Sequence, residues 1–139
     1  CFRPRTPPRK EKTMDLMPFF QSVLEQDTAP IVLCDLNHTI LYMNPVAAQR
    51  YAKRGGYALV GKNLLDCHNA QSVAAIERVL GWFQENPRNN RVFTFRNDKE
   101  CKDVYMIALR DSSGALIGYY EKHAYRTPEP RGLYALEQD

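Results

Sequence analysis

The widest chemical repertoire in this chain lies in one run, Asp66-Cys67-His68-Asn69. A thiol beside an imidazole offers one soft and one borderline donor, a pair that could ligate a metal ion or a haem iron. The run also has an ordinary use, because His68 and Asn69 can satisfy backbone groups where a helix starts. Adjacency does not make Cys67 and His68 a nucleophile–base couple, which needs convergence in space and a third, orienting group. No GxSxG, Gly-rich phosphate loop or HExxH occurs in the sequence. We therefore expect no catalytic residues and no enzyme. The cysteines, Cys1, Cys34, Cys67 and Cys101, form no CxxC pair, which argues against structural zinc. Reduced thiols and a cytoplasmic setting are the expectation. His38, in a turn, and His123, near a strand end, are expected to be exposed and to form no metal site with His68. Asp98, Glu100 and Asp103 alternate with Lys99 and Lys102, as in a solvated hairpin tip.

These groups must be positioned by a chain of 139 residues, 44% hydrophobic and 25% charged. That is the size and balance of one soluble domain, and it excludes a mainly disordered, collagen-like or disulfide-scaffold protein. No apolar run approaches the ~20 residues of a membrane span. The net charge of +3 is less than the tail alone carries: residues 1–13 hold five basic side chains against Glu11. The remainder is slightly acidic, so a basic nucleic-acid-binding face is not expected.

Periodicity sets the elements. Residues 1–12, rich in Pro and Arg and with a Pro4/Pro7 PxxP, read as a disordered basic tail or vector remnant. Residues 13–27 read as a flanking helix capped by Thr13. Its stripe of Leu16, Phe20, Val23 and Leu24 needs a partner surface. Ile31–Cys34 and Thr39–Met43 read as a hairpin, and Asn44-Pro45 starts a short helix running to about Lys53. A longer helix is expected over 70–86, ended by Pro87. Strands follow at 91–96, 102–110 and 115–125, the last two joined by Asp111-Ser112-Ser113-Gly114. The fold class is α+β: a five-stranded antiparallel sheet with helices packed on one face. The segment from Thr127 onward reads as a linker. The start at Cys rather than Met, with prolines near both ends, reads as a fragment.

Three local signatures resemble the PAS sensory domain family over about residues 28–127. Pro30–Pro45, PIVLCDLNHTILYMNP, is similar to its opening hairpin with a closing Asn-Pro. Leu59-Val60-Gly61-Lys62 looks like its hydrophobic-Gly-Arg/Lys element. Leu109–Glu121, LRDSSGALIGYYE, resembles its closing hairpin with a mid-strand Gly. The resemblance implies a curved sheet, a small-molecule pocket under the helices, and an output domain or partner outside this chain. Inward faces could supply Cys34, Tyr42, Tyr51, Leu65, Ile76, Leu80, Phe93, Phe95, Tyr105 and Ile107, with Cys67 and His68 at the helix start. Such walls suit a small apolar or acyl ligand, though the same side chains could simply fill a core. Haem-binding members carry their proximal histidine near this helix, which makes His68 the alternative haem ligand. Flavin is not expected, because Leu64 stands where the light-sensing branch has its reactive Cys. The stripe of Leu16, Phe20, Val23 and Leu24 could pack on the domain's own sheet or on the same helix of a second chain; the flanking helix of the family does both, and a homodimer is expected. The function expected is sensory and regulatory, with a ligand-free dimerisation module as the alternative.

Overall fold

The structure, a computed structural model, describes residues 14–137. The basic tail and the Thr13 cap expected from sequence lie outside them. Within them, the first helix, α1, spans Met17–Glu25. Asp15 Oδ1 accepts from Met17 N–H at its start, at 3.0 Å. Pro18 sits in its first turn, where no N–H is needed.

Asparagines set the later helix starts. Asn44 Oδ1 accepts from Ala47 N–H at 3.0 Å and opens α2, Pro45–Arg50. Asn69 Oδ1 accepts from Ser72 N–H at 2.8 Å and opens α3, Ala70–Glu85. Between them lie three 3-10 turns, Ala52–Arg54, Gly56–Leu59 and Leu64–Cys67, the first of which replaces the end of the expected short helix. Gly55 and Gly56, both at positive φ, turn the chain out of the α-helix.

The strands are β1 Val32–Asp35, β2 Ile40–Met43, β3 Arg91–Asn97, β4 Lys102–Arg110 and β5 Leu116–Tyr125. All pairs are antiparallel, in the order β2-β1-β5-β4-β3. Asp35 Oδ1 closes the first turn by accepting from Asn37 N–H and Thr39 N–H. Asp111 Oδ1 closes the last hairpin turn by accepting from Ser113 and Ala115 N–H groups, with Gly114 at φ 90°. Gly118 is required in β5, because a Cβ there would stand 2.2 Å from the Cys34 carbonyl oxygen.

One sheet face is core. Cys34, Ile40, Met43, Met106 and Tyr119 pack with Ala47 of α2 and with Leu80 and Phe83 of α3. On β4 the buried positions are Lys102, Val104 and Met106. Tyr105 and Ile107, expected to face inward, therefore lie on the opposite face. A register shift after Phe93 splits another expected pair: Phe93 sits opposite Tyr105, and Phe95 opposite Val104. Both phenylalanines are exposed because β3 is an edge strand. Phe93 stacks on Tyr105 at 5.4 Å, with Arg91 over the Tyr105 ring.

Candidate functional site

A cavity of about 350 Å³ lies between the core face of the sheet and the segment running from Tyr51 into α3. That volume falls in the ~300–1,000 Å³ range of small-ligand sites. β1 and β2 supply Val32, Cys34, Ile40 and Met43; β4 supplies Met106; β5 supplies Tyr119, Glu121 and His123. The covering segment supplies Tyr51, Leu59, Leu64, Cys67, His68 and Ile76, with Arg54, Lys62 and Asp66 adding charge. The alternation of β5 puts Tyr119, Glu121 and His123 on one face, and pairing with Ala108, Met106 and Val104 fixes that face inward.

Several polar atoms of the wall are engaged. Tyr119 OH lies 2.7 Å from His38 Nδ1 and within hydrogen-bonding reach of Cys34 Sγ. Burial pushes the Cys34 thiol up to about 11, and it drives the Tyr119 phenol well above its usual range. This pair is a neutral polar strut rather than a nucleophile. His68 closes the Leu64–Cys67 turn, and its Nδ1 lies 2.9 Å from the Leu64 carbonyl oxygen, so it donates there. Among the described residues no group of three or more His, Cys, Asp or Glu side chains is placed to hold a metal ion. Cys34, Cys67 and Cys101 form no disulfide.

Of the side chains expected at the pocket, Cys34, Tyr51, Cys67, His68 and Ile76 line the cavity. Leu80 packs in the core below it. Leu65 is half-buried and outside the lining. Tyr42 pairs with Leu33 on the far face, where its OH donates to Glu25 of α1. Phe93, Phe95, Tyr105 and Ile107 also lie outside the cavity, for the reasons of register given above. His123, expected to be exposed, is only 8% exposed, and His38 is half-buried against Tyr119. Met43, Met106, Tyr119 and His123 are among the wall residues that the sequence reading missed, as are Val32, Ile40, Leu59, Leu64 and Glu121. For Met106 the signal was the alternation of β4, read from the wrong face, and Tyr119 and His123 follow from its pairing with β5.

Asn44, fully buried, joins this site to α1. Its Oδ1 also accepts from Ile31 N–H at 2.9 Å, and its Nδ2 donates to the Leu24 and Ala29 carbonyls at 3.1 and 2.9 Å. No residue of α1 is buried, so this asparagine and the Glu25–Tyr42 bond hold the helix by its last turn. Leu16, Phe20 and Val23 are exposed at 47%, 57% and 69%, and Leu24 is half-buried. No helix among the described residues is long and apolar enough to cross a membrane.

The sequence profile of a family described as PAS domain matches residues 20–123. Among solved structures, the chain is similar to a C-terminal domain from Streptococcus mutans, at 20% identity and TM-score 0.59, covering 86% of this chain and 90% of that one. It is similar to the PAS domain of a protein from Colwellia psychrerythraea, at 12% identity and TM-score 0.58, covering 81% and 100%. A sensory box sensor histidine kinase from Vibrio cholerae is similar at 14% identity and TM-score 0.54, covering 78% and 89%. These likenesses are ones of fold. No curated protein matches the chain.

Proposed function

The chain belongs to the PAS domain family, and from that premise we propose that it senses a small, largely apolar molecule in the cavity and reports it through α1. PAS domains are sensory signalling modules and in general not catalysts. The observation that carries the proposal is the cavity itself, in which aliphatic and aromatic side chains stand beside a few charged ones. A ligand shifts an equilibrium only by its differential affinity for two arrangements. Here the cavity residue Met43 directly precedes Asn44, which holds α1. A ligand that moves β2 therefore loads or frees the helix. The exposed stripe of Leu16, Phe20 and Val23 gives α1 a surface for a second copy, and the output partner lies outside this chain. Native mass spectrometry of the purified protein tests the binding step. We expect a small-molecule adduct on each protomer, lost in Ile76→Trp, which fills the cavity. An adduct retained by Ile76→Trp, or no adduct and no binding from a panel of small apolar compounds, overturns the proposal. Phe20→Glu tests the dimer: monomers by sedimentation are expected, and a surviving dimer places the interface elsewhere.

A second reading has its own observation. The Nδ1–H of His68 is committed to the Leu64 carbonyl, which leaves Nε2 as a bare donor on a fixed ring, the arrangement of a metal-ligating histidine. His68 Nε2 would then hold a haem, which would supply the chemistry of gas sensing. His68→Ala should then abolish a Soret band in haem-reconstituted protein, and an unchanged band would sink this reading.

A further inference from the structure

We infer that the cavity selects a molecule carrying one hydrogen-bond donor, an N–H or O–H, on an otherwise apolar frame, and that His123 Nδ1 receives that donor. The inference rests on the cavity reading above and names the class of its occupant. His123 is 8% exposed and lines the cavity beside Tyr119 and Glu121. Its Nε2 lies 3.4 Å from Glu121 Oε1. A carboxylate only accepts, so the ring proton belongs on Nε2. A neutral imidazole has one N–H, and Nδ1 is then a bare lone pair. That nitrogen is buried and has no hydrogen-bond partner among the described residues.

Three other polar groups of the wall are committed. Tyr119 OH is taken by His38, His68 Nδ1 by the Leu64 carbonyl, and Asn63 Oδ1 by Leu65 N–H. Near the sheet, Val32, Ile40, Met43 and Met106 offer a ligand aliphatic or thioether contacts. A ligand with an ether or ketone in place of the donor would set lone pair against lone pair at His123. An anion would also meet the Glu121 carboxylate beside it. A site with one buried, unpaired acceptor discriminates strongly for the molecule that satisfies it.

Indole and benzofuran test this directly, because they share a frame and differ in N–H against ring oxygen. At pH 8, calorimetric titration of the wild-type protein should give indole an affinity about tenfold higher. His123→Phe should erase the preference while benzofuran still binds. A second readout needs no variant: in protein with 15N-labelled histidine rings, the His123 Nδ1 resonance should leave its bare-nitrogen position with indole and not with benzofuran. Equal affinities, or tighter benzofuran, overturn the donor assignment and leave the cavity reading standing. Binding of neither compound overturns the cavity reading and this inference with it.

Discussion

Asn44→Asp keeps the side-chain oxygen of Asn44 and removes its donor, which separates the two jobs of this residue. The bonds to Ile31 N–H and Ala47 N–H survive, so the start of α2 stays capped. The Leu24 and Ala29 carbonyls lose the amide that held them. The site is fully buried, so an ionised carboxylate against two carbonyls is strongly disfavoured. The introduced acid binds its proton more tightly in the folded state than in the unfolded one. Its folded pKa is raised, so the variant is closest to wild type below about pH 4, the unfolded value, and falls behind as pH rises. At pH 4 the protonated acid restores one of the two donations, and the deficit is one net hydrogen bond, about 1 kcal/mol. From there it grows by about 1.4 kcal/mol per pH unit up to the raised pKa. A shift of two units gives a deficit of about 4 kcal/mol at pH 7. Urea unfolding followed by Trp82 fluorescence at pH 4, 5, 6 and 7, in wild type and variant, measures it. Hydrogen exchange at the amides of α1 should rise in the same series, ahead of those in β4 and β5. A deficit that does not change with pH, with α1 protected as in wild type, would refute the claim that this amide tethers the helix.

Two further outcomes follow from the core. Gly118→Ala places a methyl carbon within bonding range of the Cys34 carbonyl, so β1 must leave its register with β5. We expect about 3 kcal/mol of destabilisation in urea, and a loss under about 1 kcal/mol would mean that the strands separate easily. Iodoacetamide at pH 8 should label Cys67 and Cys101 and spare Cys34, by peptide mass mapping. The raised Cys34 pKa stabilises the fold below the unfolded value of 9.0, and that contribution is lost as pH climbs toward about 11. The stability difference between wild type and Cys34→Ala should therefore shrink across that window, and a pH-independent difference would contradict it.

The fold was legible because its punctuation is chemical. Asn44-Pro45, Asn69 and the Asp111–Gly114 turn each mark a boundary by a side chain that must sit there. The strand spans of β4 and β5 were legible from alternation. The inward face of β4 was not, because both phases carry apolar residues and the correct one includes Lys102, a charged residue that is 1% exposed. Its ammonium reaches Glu100 at 3.2 Å, and its stem covers the core, which no one-dimensional pattern announces. Cys67 and His68 followed from the helix-start signature. Met106, Tyr119 and His123 depended on strand register, and a single residue of phase moves every side chain across the sheet.

The sheet order has a mechanical consequence. The chain enters the sheet on β1 and leaves it on β5, central strands that are antiparallel neighbours. The start of β1 and the end of β5 therefore point the same way. Tension between the flanking segments would load the hydrogen bonds of this pair in turn, as a zipper, rather than all together in shear. Such a joint yields at low force, and it yields along Leu33, Cys34 and Asp35, the strand that supplies Cys34 to the cavity wall. A pull on the flanks would open the chamber wall at β1.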